Sequence, residues 1–252
     1  MGIENLMEKN KRNLVIIPTY NERENIIPLV KHILLTVTET DIVVVDDDSP
    51  DGTAQEVRGL QTFAGEHEAE IMLIERKGER GLGGAYRAGL QYGLNQGYHI
   101  LITMDADHSH NPLYLPAILS AIENNDVVIG SRYIRDGGTI NWRIRRILLS
   151  WLANRFARFM LRLNGNDLTS GFRAYRREIL EKIGLDQVRS NGYSYLVEML
   201  FRAQQNDARV GEVPIIFYDR TMGNSKISRK EVYRGVLTLF RLRLTSKRLR
   251  RG

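Results

Sequence analysis

Two aspartates, Asp105 and Asp107, stand two positions apart directly after a short apolar run at residues 100–104. A run of this length and composition is typical of a buried strand. Side chains at positions i and i+2 of an extended backbone point to the same side, so this spacing brings the two carboxylates together. Like charges at such a distance repel each other unless a cation lies between them. The pair therefore indicates a site for a hard divalent ion, Mg²⁺ or Mn²⁺, that also binds water and phosphate oxygens.

The same two residues have a simpler interpretation. They could form a solvated acidic turn, with Asp107 or Ser109 capping a helix that follows Pro112. For an isolated Asp-x-Asp this interpretation is the more common one. The segments around the pair favour the metal site instead.

Short apolar strands alternate with helices along the first half of the chain. Strands are predicted at residues 13–17, 42–45, 71–74, 100–104 and 126–129. This alternation predicts an α/β fold, with a mostly parallel sheet covered by helices on both faces. Ligands bind at the carboxyl ends of the strands in such sheets, so the polar segments 18–22, 46–47 and 105–107 are expected to converge on one edge. That convergence is the best evidence in the sequence for an active site.

Common glycine motifs for nucleotides are missing from the expected positions. No Gly-x-Gly-x-x-Gly follows the first predicted strand, and the chain has no Walker A sequence. Gly81, Gly83 and Gly84 follow the third strand with a different spacing, which predicts a tight turn and close helix packing. These observations argue against a dinucleotide-binding Rossmann enzyme and a P-loop NTPase.

Composition limits the classes of protein further. The 252 residues carry a net charge of +6, which favours anionic partners: nucleic acid, phosphate substrates or an acidic membrane surface. The absence of cysteine excludes disulfides and thiolate metal sites, and it fits a reducing compartment. No apolar run approaches the ~18 residues that span a bilayer, and the first residues do not resemble a secretory signal. We therefore expect neither a transmembrane helix nor export.

The second half of the chain contains a long segment without acidic residues. Residues 142–163 predict an amphipathic helix with arginines mostly away from its apolar stripe. The stripe consists of Ile144, Ile147, Leu148, Trp151, Leu152, Phe156, Phe159, Met160 and Leu163. Such a helix either lies at a membrane interface or packs on a core with a basic solvent face, and the pattern favours neither.

Three further segments bear on the site. The polar loop at 166–175 is predicted to lead into an edge strand, and residues 210–218 to form the last strand. Beyond it, Arg220 and Lys226 flank a loop that contains glycine. Alone they would be solvated bases, whereas beside an acidic metal site they could hold a diphosphate. A basic helix or tail at 231–252 could contact anionic lipid or nucleic acid, or keep the protein soluble.

Several of these segments together resemble the inverting family 2 glycosyltransferases of the GT-A fold, and among them the polyprenyl-phosphate (dolichyl-phosphate) mannose synthases. The segments are residues 18–22, 46–53, 105–112, 130–133, 141–142, 167–173 and 219–226. Their order along the chain makes the match more specific than any single motif. The resemblance implies a GT-A (Rossmann-like) nucleotide-sugar-binding domain at 13–230, without transmembrane helices, between a flexible tail at 1–12 and the basic segment at 231–252.

The resemblance also assigns the donor and metal sites. The residues expected to contact the nucleoside of the sugar nucleotide are Pro18, Tyr20, Glu22 and Asp47. Asp105 and Asp107 would hold the metal against the diphosphate, with Ser109 as a weaker third ligand where the family commonly has Gln. His108 and His110 are interpreted as non-ligands, because a hard cation prefers oxygen.

On the acceptor side, the resemblance implies that Arg132, Arg146 and Ser150 hold the phosphate of a lipid, while Arg220 and Lys226 neutralise the leaving diphosphate. With the two aspartates, Arg132, Arg220 and Lys226 form the expected catalytic set. A phosphate nucleophile is already ionised near neutral pH and needs orientation, not a general base. Asp167 is therefore expected to have a structural or acceptor-side role.

The implied reaction is inverting transfer of mannose from GDP-mannose to polyprenyl (dolichyl) phosphate, with Mg²⁺ or Mn²⁺ as cofactor and a β-linked product. Because the acceptor lies in a bilayer, the helix at 142–163 and the basic tail are expected to dock peripherally on the cytoplasmic face of a membrane. The alternatives are a polyprenyl-phosphate glucose synthase or another family 2 enzyme that uses a UDP-sugar. A nucleic-acid-binding module is not expected, since no RNP-type strand or recognition-helix motif accompanies the basic charge.

Overall fold

The computed structural model describes residues 12–78, 80–219 and 235–244. Its strands are β1 (Asn13–Thr19), β2 (Thr40–Asp46), β3 (Ile71–Glu75), β4 (Ile100–Thr103), β5 (Val127–Ser131), β6 (Gly138–Ile140), β7 (Arg173–Arg176), β8 (Val210–Pro214) and β9 (Ile216–Tyr218). Its α-helices are α1 (Arg23–Thr36), α2 (Thr53–Gly59), α3 (Gln61–Glu66), α4 (Leu82–Gln96), α5 (Leu115–Ile122), α6 (Ile144–Leu161), α7 (Arg177–Ile183) and α8 (Tyr193–Gln205). Short 3₁₀ helices occupy Pro112–Tyr114 and Leu185–Gln187, and residues 235–244 are also helical.

A seven-stranded sheet forms the centre, in the order β3-β2-β1-β4-β7-β5-β8. All neighbouring pairs in it are parallel except those of β7, which runs antiparallel between β4 and β5. Helices and buried apolar residues cover both faces, with Leu14 and Ile16 of β1 in one core and Val15 and Ile17 in the other. The predicted mostly parallel, doubly covered sheet is thereby confirmed.

The prediction that an edge strand follows the loop at 166–175 is wrong, because β7 lies inside the sheet. Its Arg173 is fully buried, which the polarity of the segment did not suggest. The guanidinium donates hydrogen bonds to the carbonyls of Leu168, Ser170 and Leu196 at 2.6–2.8 Å. These bonds replace water around the charge, so an arginine is tolerated in an interior strand.

The predicted last strand at 210–218 is divided between two sheets. β8 extends the main sheet beside β5, whereas β9 pairs in parallel with β6 in a separate two-stranded sheet. The division falls next to Pro214, which has no N–H to continue a ladder. This break brings Phe217 of β9 over the carboxyl end of the main sheet, where it contacts site residues described below.

Helix α4 packs unusually close to the sheet. A methyl group on Gly89 would lie 2.3 Å from Cγ2 of Ile16, and one on Gly93 would lie 2.4 Å from Cδ2 of Leu101. Only glycine allows this approach. The packing sets the position of Tyr86, in the first turns of the same helix, at the carboxyl end of the strands.

Helix α6 coincides with the segment predicted at 142–163, with bounds two residues shorter at each end. Only Asn154, Ala157 and Leu161 of this helix are buried. Its exposed large apolar side chains are Ile144, Leu148, Leu149, Trp151, Leu152, Phe156 and Phe159. Most of the predicted stripe therefore faces solvent, and α6 is not an ordinary core-packed helix. No helix among residues 12–78, 80–219 and 235–244 has the length and apolar character needed to cross a bilayer.

Candidate active site

The predicted convergence of polar strand ends is present. Thr19 at the end of β1 pairs with Asp46 at the end of β2, and Thr103 of β4 pairs with Ile16 of β1. Asp46 is buried and accepts hydrogen bonds from Thr19 Oγ1 at 2.8 Å and from Ser49 N and Oγ at 2.9 and 2.6 Å. This aspartate therefore joins two strand ends to the loop that follows β2.

The next residue, Asp47, connects β2 to the glycine turn before α4. Its carboxylate accepts from Arg76 Nη1 and from the backbone N–H of Gly81, both at 2.8 Å. Gly81 has a φ of +137°, a backbone conformation that only glycine adopts readily. The prediction of a tight turn here is confirmed, and Asp47 is the side chain that holds the turn against the sheet.

The other residues predicted to contact the nucleoside lie around this edge. Pro18 is buried in β1, and Tyr20, directly after the strand, is 40% exposed with the Arg80 guanidinium 4.6 Å from its ring. Glu22 begins the turn into α1 and accepts from Asn25 Nδ2 at 2.7 Å. Of these, Tyr20 presents the most open surface to a base or ribose.

Asp105 is held from three sides. The Tyr86 hydroxyl donates a short hydrogen bond to its Oδ1, and its backbone N–H donates to Nδ1 of His110 at 3.0 Å. Gly171 packs so closely that a Cβ would lie 2.6 Å from the Tyr86 oxygen and 3.2 Å from Asp105 Oδ1. The Asp105 side chain nevertheless remains 24% exposed, so the carboxylate is fixed in place and still open to a ligand.

Burial sets the protonation of the two groups that touch Asp105. Burial, followed by the charge of Asp105, raises the pKa of Tyr86 well above its usual 10.0, so the hydroxyl remains a donor. Burial lowers the pKa of His110 below its usual 6.5, although Asp105 opposes that shift. His110 is thus neutral, and its Nδ1 is occupied by the Asp105 N–H, which agrees with its interpretation as a non-ligand.

Asp107 and Ser109 complete the acidic turn. Asp107 is half-buried and accepts from the backbone N–H of Ser109 at 3.0 Å. The Ser109 hydroxyl is buried and has no hydrogen-bond partner among the described residues, whereas His108 is exposed. The expected capping role of Asp107 is thus confined to its own turn, and the next helical turn is capped by Asn111, which accepts from Leu113 N.

These oxygen donors fit a hard divalent cation that shares its ligands with a substrate. Asp105, Asp107 and the unpartnered Ser109 hydroxyl supply oxygen only, the donor type that Mg²⁺ and Mn²⁺ prefer. Within the described part of the chain no group of three or more His, Asp or Glu side chains could enclose a metal. The set is therefore suited to an ion that takes further ligands from phosphate and water, and not to a closed protein cage.

Arg132 follows β5 at the same edge and forms a buried pair with Asp167. Its Nε and Nη2 donate to the two carboxylate oxygens at 2.6 and 2.7 Å, and its backbone N–H donates to Oδ2 at 3.0 Å. Burial alone would raise the pKa of Asp167, but the Arg132 charge and hydrogen bonds lower it below the usual 3.8. Asp167 is thus a carboxylate anchored by Arg132, and the pair engages two of the Arg132 side-chain nitrogens.

The other predicted acceptor residues lie on α6. Arg146 Nη1 donates to Asp219 at 2.8 Å, and its guanidinium stacks 3.8 Å from the Trp142 ring centre. Ser150 is half-buried one turn further along the helix. Arg220 and Lys226, the predicted diphosphate cations, lie outside the described residues.

Phe217 of β9 connects the acidic and basic parts of the site. Its ring centre lies 5.5 Å from that of His110 and 5.2 Å from the Arg132 guanidinium. The Asp105 turn and the Arg132–Asp167 pair are therefore neighbours across one aromatic ring.

Sequence reasoning missed two residues that support the site. Neither Tyr86 nor Asn154 belongs to any motif that the sequence analysis identified. Asn154 Oδ1 accepts from Leu168 N at 2.7 Å, and Nδ2 approaches Thr169 Oγ1 at 3.3 Å. Thr169 in turn accepts from Arg132 Nη2 at 3.0 Å, so α6 is linked to the buried pair. Asn154 lies on the buried face of α6 with Ala157 and Leu161, away from the predicted apolar stripe, and no motif marked it.

Comparison with known proteins gives three consistent results. The model of the family described as glycosyl transferase family 2 matches residues 14–184. The chain is 42% identical to the undecaprenyl-phosphate mannosyltransferase of Micrococcus luteus, over 94% of this chain and 96% of that one. It is 45% identical to the polyprenol monophosphomannose synthase of Mycolicibacterium smegmatis, over 86% and 82%.

Solved structures agree on the fold. A glucosyl-3-phosphoglycerate synthase from Mycobacterium tuberculosis, in complex with Mn²⁺, UDP and glucosyl-3-phosphoglycerate, superposes with a TM-score of 0.62 at 19% identity. The match covers 96% of this chain and 84% of that one. At this identity the likeness concerns the fold alone.

Proposed function

Since this chain belongs to glycosyl transferase family 2 and is a glycosyltransferase with a GT-A fold, we propose that it transfers mannose from GDP-mannose to a polyprenyl phosphate. The names of the relatives from Micrococcus luteus and Mycolicibacterium smegmatis support the sugar and the lipid class. The observation that carries the proposal is the contact of Phe217 with both halves of the site. It puts an acidic turn suited to a metal-bound diphosphate beside a buried arginine suited to an acceptor phosphate.

On the donor side, Asp105 and Asp107 would hold Mg²⁺ or Mn²⁺, which neutralises charge on the leaving nucleoside diphosphate when bound. Tyr20 is exposed at the end of β1 and would contact the nucleoside, while Asp47 keeps the Arg76 and Gly81 segment in place next to it. We assign Arg220 and Lys226 to the diphosphate as well.

On the acceptor side, the phosphate oxygen attacks the anomeric carbon and displaces the diphosphate in line, which inverts the configuration to give a β-linked product. This nucleophile carries no proton at neutral pH, so no base is required. Asp167 fits that requirement, because Arg132 lowers its pKa and occupies both of its oxygens. Arg132, Arg146 and Ser150 would orient the acceptor, with Asp167 holding Arg132 in position.

A membrane surface is the partner that we assign to α6. Its apolar side chains are exposed, its polar positions include Arg145, Arg155 and Arg158, and no acidic residue occurs between 137 and 166. Apolar anchors surrounded by arginines are the composition of helices that lie in an anionic bilayer surface. We place this surface on the cytoplasmic face, where a sugar nucleotide is available to a peripheral enzyme.

Replacing Trp151 and Phe156 together with Ser is expected to weaken binding to phosphatidylglycerol vesicles at least tenfold. Each side chain is 44% exposed and would lose the free energy of entering the bilayer interface, about 1.5–3 kcal/mol for full burial. Vesicle flotation measures the change, and GDP affinity should remain that of the wild type. Leu35→Ser is the matched control, since Leu35 is 71% exposed on α1, outside α6. Equal vesicle binding by the folded double variant and the wild type would refute the assignment.

The proposed reaction is tested with labelled GDP-mannose and a polyprenyl phosphate in detergent, with Mg²⁺, with Mn²⁺ and with EDTA. We expect a mannosyl lipid phosphate that forms with metal and not with EDTA. If product forms from UDP-glucose and not from GDP-mannose, the proposed sugar and nucleotide are wrong and the proposed mechanism stands. A folded, metal-loaded protein that transfers from neither donor to the lipid would refute the proposed acceptor.

A further inference from the structure

We propose that Tyr86 is a positioning residue for the metal site, acting through its hydrogen bond to Asp105. The inference rests on the proposed role of Asp105 as a metal ligand. The inference adds a residue to the site, because Tyr86 lies on α4 and is not part of the acidic turn that contains Asp105. The Tyr86 hydroxyl donates its proton to the Asp105 carboxylate, so we assign it to orienting that carboxylate and not to binding the metal.

The two oxygens of Asp105 have different surroundings. Tyr86 donates to Oδ1, while Oδ2 lies 3.8 Å from His110 Nδ1, beyond hydrogen-bond distance. A donor on one carboxylate oxygen fixes the rotation of the group, so the second oxygen keeps a constant direction. Asp105 thereby combines partial exposure with a defined orientation.

The surroundings show that this contact is tightly packed. The Tyr86 ring stacks on Tyr195 at a centroid distance of 6.3 Å, and Gly171 leaves no room for a methyl group beside the hydroxyl. The carbonyl of Gly171 also accepts from Thr103 Oγ1 at 2.7 Å, which connects this glycine to the last residue of β4, two positions before Asp105. The glycine of the 167–173 motif is thus required by the Tyr86–Asp105 contact.

The chain supplies a matched comparison for this bond. Tyr98, just beyond the end of α4, is also fully buried and donates to the buried Asp41 at 2.8 Å. Asp41 lies at the start of β2, at the opposite end of the sheet from the site. A tyrosine hydroxyl that donates to an aspartate can therefore be removed near either end of α4. Only at Tyr86 is that aspartate a proposed metal ligand.

The test compares Tyr86→Phe with Tyr98→Phe by titration with Mn²⁺ alone, followed by the electron paramagnetic resonance of the free ion. Loss of an outer-shell hydrogen bond typically weakens metal binding 10–100-fold. We expect at least tenfold weaker Mn²⁺ binding for Tyr86→Phe and unchanged binding for Tyr98→Phe. GDP affinity in EDTA should be the same in all three proteins.

A second variant protects the test against a folding defect. Gly171→Ala places a methyl group against the Tyr86–Asp105 contact from the other side, and should weaken Mn²⁺ binding in the same direction. Asp105→Asn separates the possible failures. Weaker binding in Asp105→Asn with wild-type binding in folded Tyr86→Phe would overturn the role of Tyr86 alone. Wild-type binding in both would overturn the metal site as well.

Discussion

Asp105→Asn is expected to lower the rate of mannosyl transfer at least 10²–10³-fold. An amide keeps the size of the side chain and still accepts from Tyr86, but it lacks the charge that holds a divalent cation. The variant would lose the stabilisation of negative charge on the leaving diphosphate. Removing one key electrostatic group from an active site typically lowers the rate by about 10²–10³-fold. Initial rates at saturating donor and lipid phosphate measure it, and excess Mn²⁺ should restore little activity.

The design includes a charge-matched control elsewhere in the fold. Asp136 is 80% exposed and lies 3.9 Å from Arg135, so Asp136→Asn removes the same charge without touching the site. We expect wild-type rates for Asp136→Asn and a melting temperature near that of the wild type for both variants. Transfer by Asp105→Asn within threefold of the wild-type rate would contradict the assigned role of the carboxylate.

Asp167→Asn is expected to destabilise the fold by about 3–5 kcal/mol, the usual cost of removing one partner of a buried ion pair. The carboxylate is fully buried, and the amide can no longer accept from both Arg132 nitrogens. The buried Arg132 guanidinium then loses the negative charge of its ion-pair partner. Urea unfolding measures the change as a lower midpoint at an unchanged slope.

A double-mutant cycle identifies the origin of that loss. Arg132→Met should cost a similar amount, because it leaves the carboxylate uncompensated, whereas the double variant should cost much less than the sum. The exposed Arg135–Asp136 pair is the control, and its removal should leave the unfolding free energy unchanged within error. Additive losses at Arg132 and Asp167 would show that the pair does not act as a unit.

The low pKa of Asp167 gives the same pair a defined pH dependence. Its pKa in the folded protein lies below 3.8, so the folded state binds fewer protons than the unfolded state in this range. The stabilisation from ionised Asp167 is therefore complete above about pH 3.8 and is lost as the pH falls through the lower folded pKa. Unfolding curves between about pH 4 and pH 2 should show a steeper loss for the wild type than for Asp167→Asn.

The amino-acid sequence by itself determined most of the strands and helices and the edge of the sheet on which the site lies. Buried parallel strands are continuous apolar runs, so β1, β2 and β4 were visible locally, and parallel pairing places their carboxyl ends together. The alternation of strands with helices indicated the doubly covered sheet, and the motifs after the strands indicated the family.

The partners of the site residues were decided only by the tertiary structure. Arg132 meets Asp167 across 35 positions of sequence, and Tyr86 meets Asp105 across 19. Such contacts depend on how elements pack, not on spacing within one element. The insertion of β7 between β4 and β5 was missed for the same reason, since pairing with distant strands and internal bonds to Arg173 outweighed local polarity.

The environment of α6 shows most directly what the sequence determines and what the tertiary structure decides. The sequence predicted an apolar stripe on this helix, and that prediction fitted both a helix that packs on a core and a helix that lies at an interface. Which surface covers the stripe depends on what the rest of the chain places against it. In the folded protein only Asn154, Ala157 and Leu161 of α6 are buried, and the larger apolar side chains remain exposed. The sequence pattern predicted the helix, and three-dimensional packing decided that most of its large apolar side chains stay uncovered by the described part of the chain.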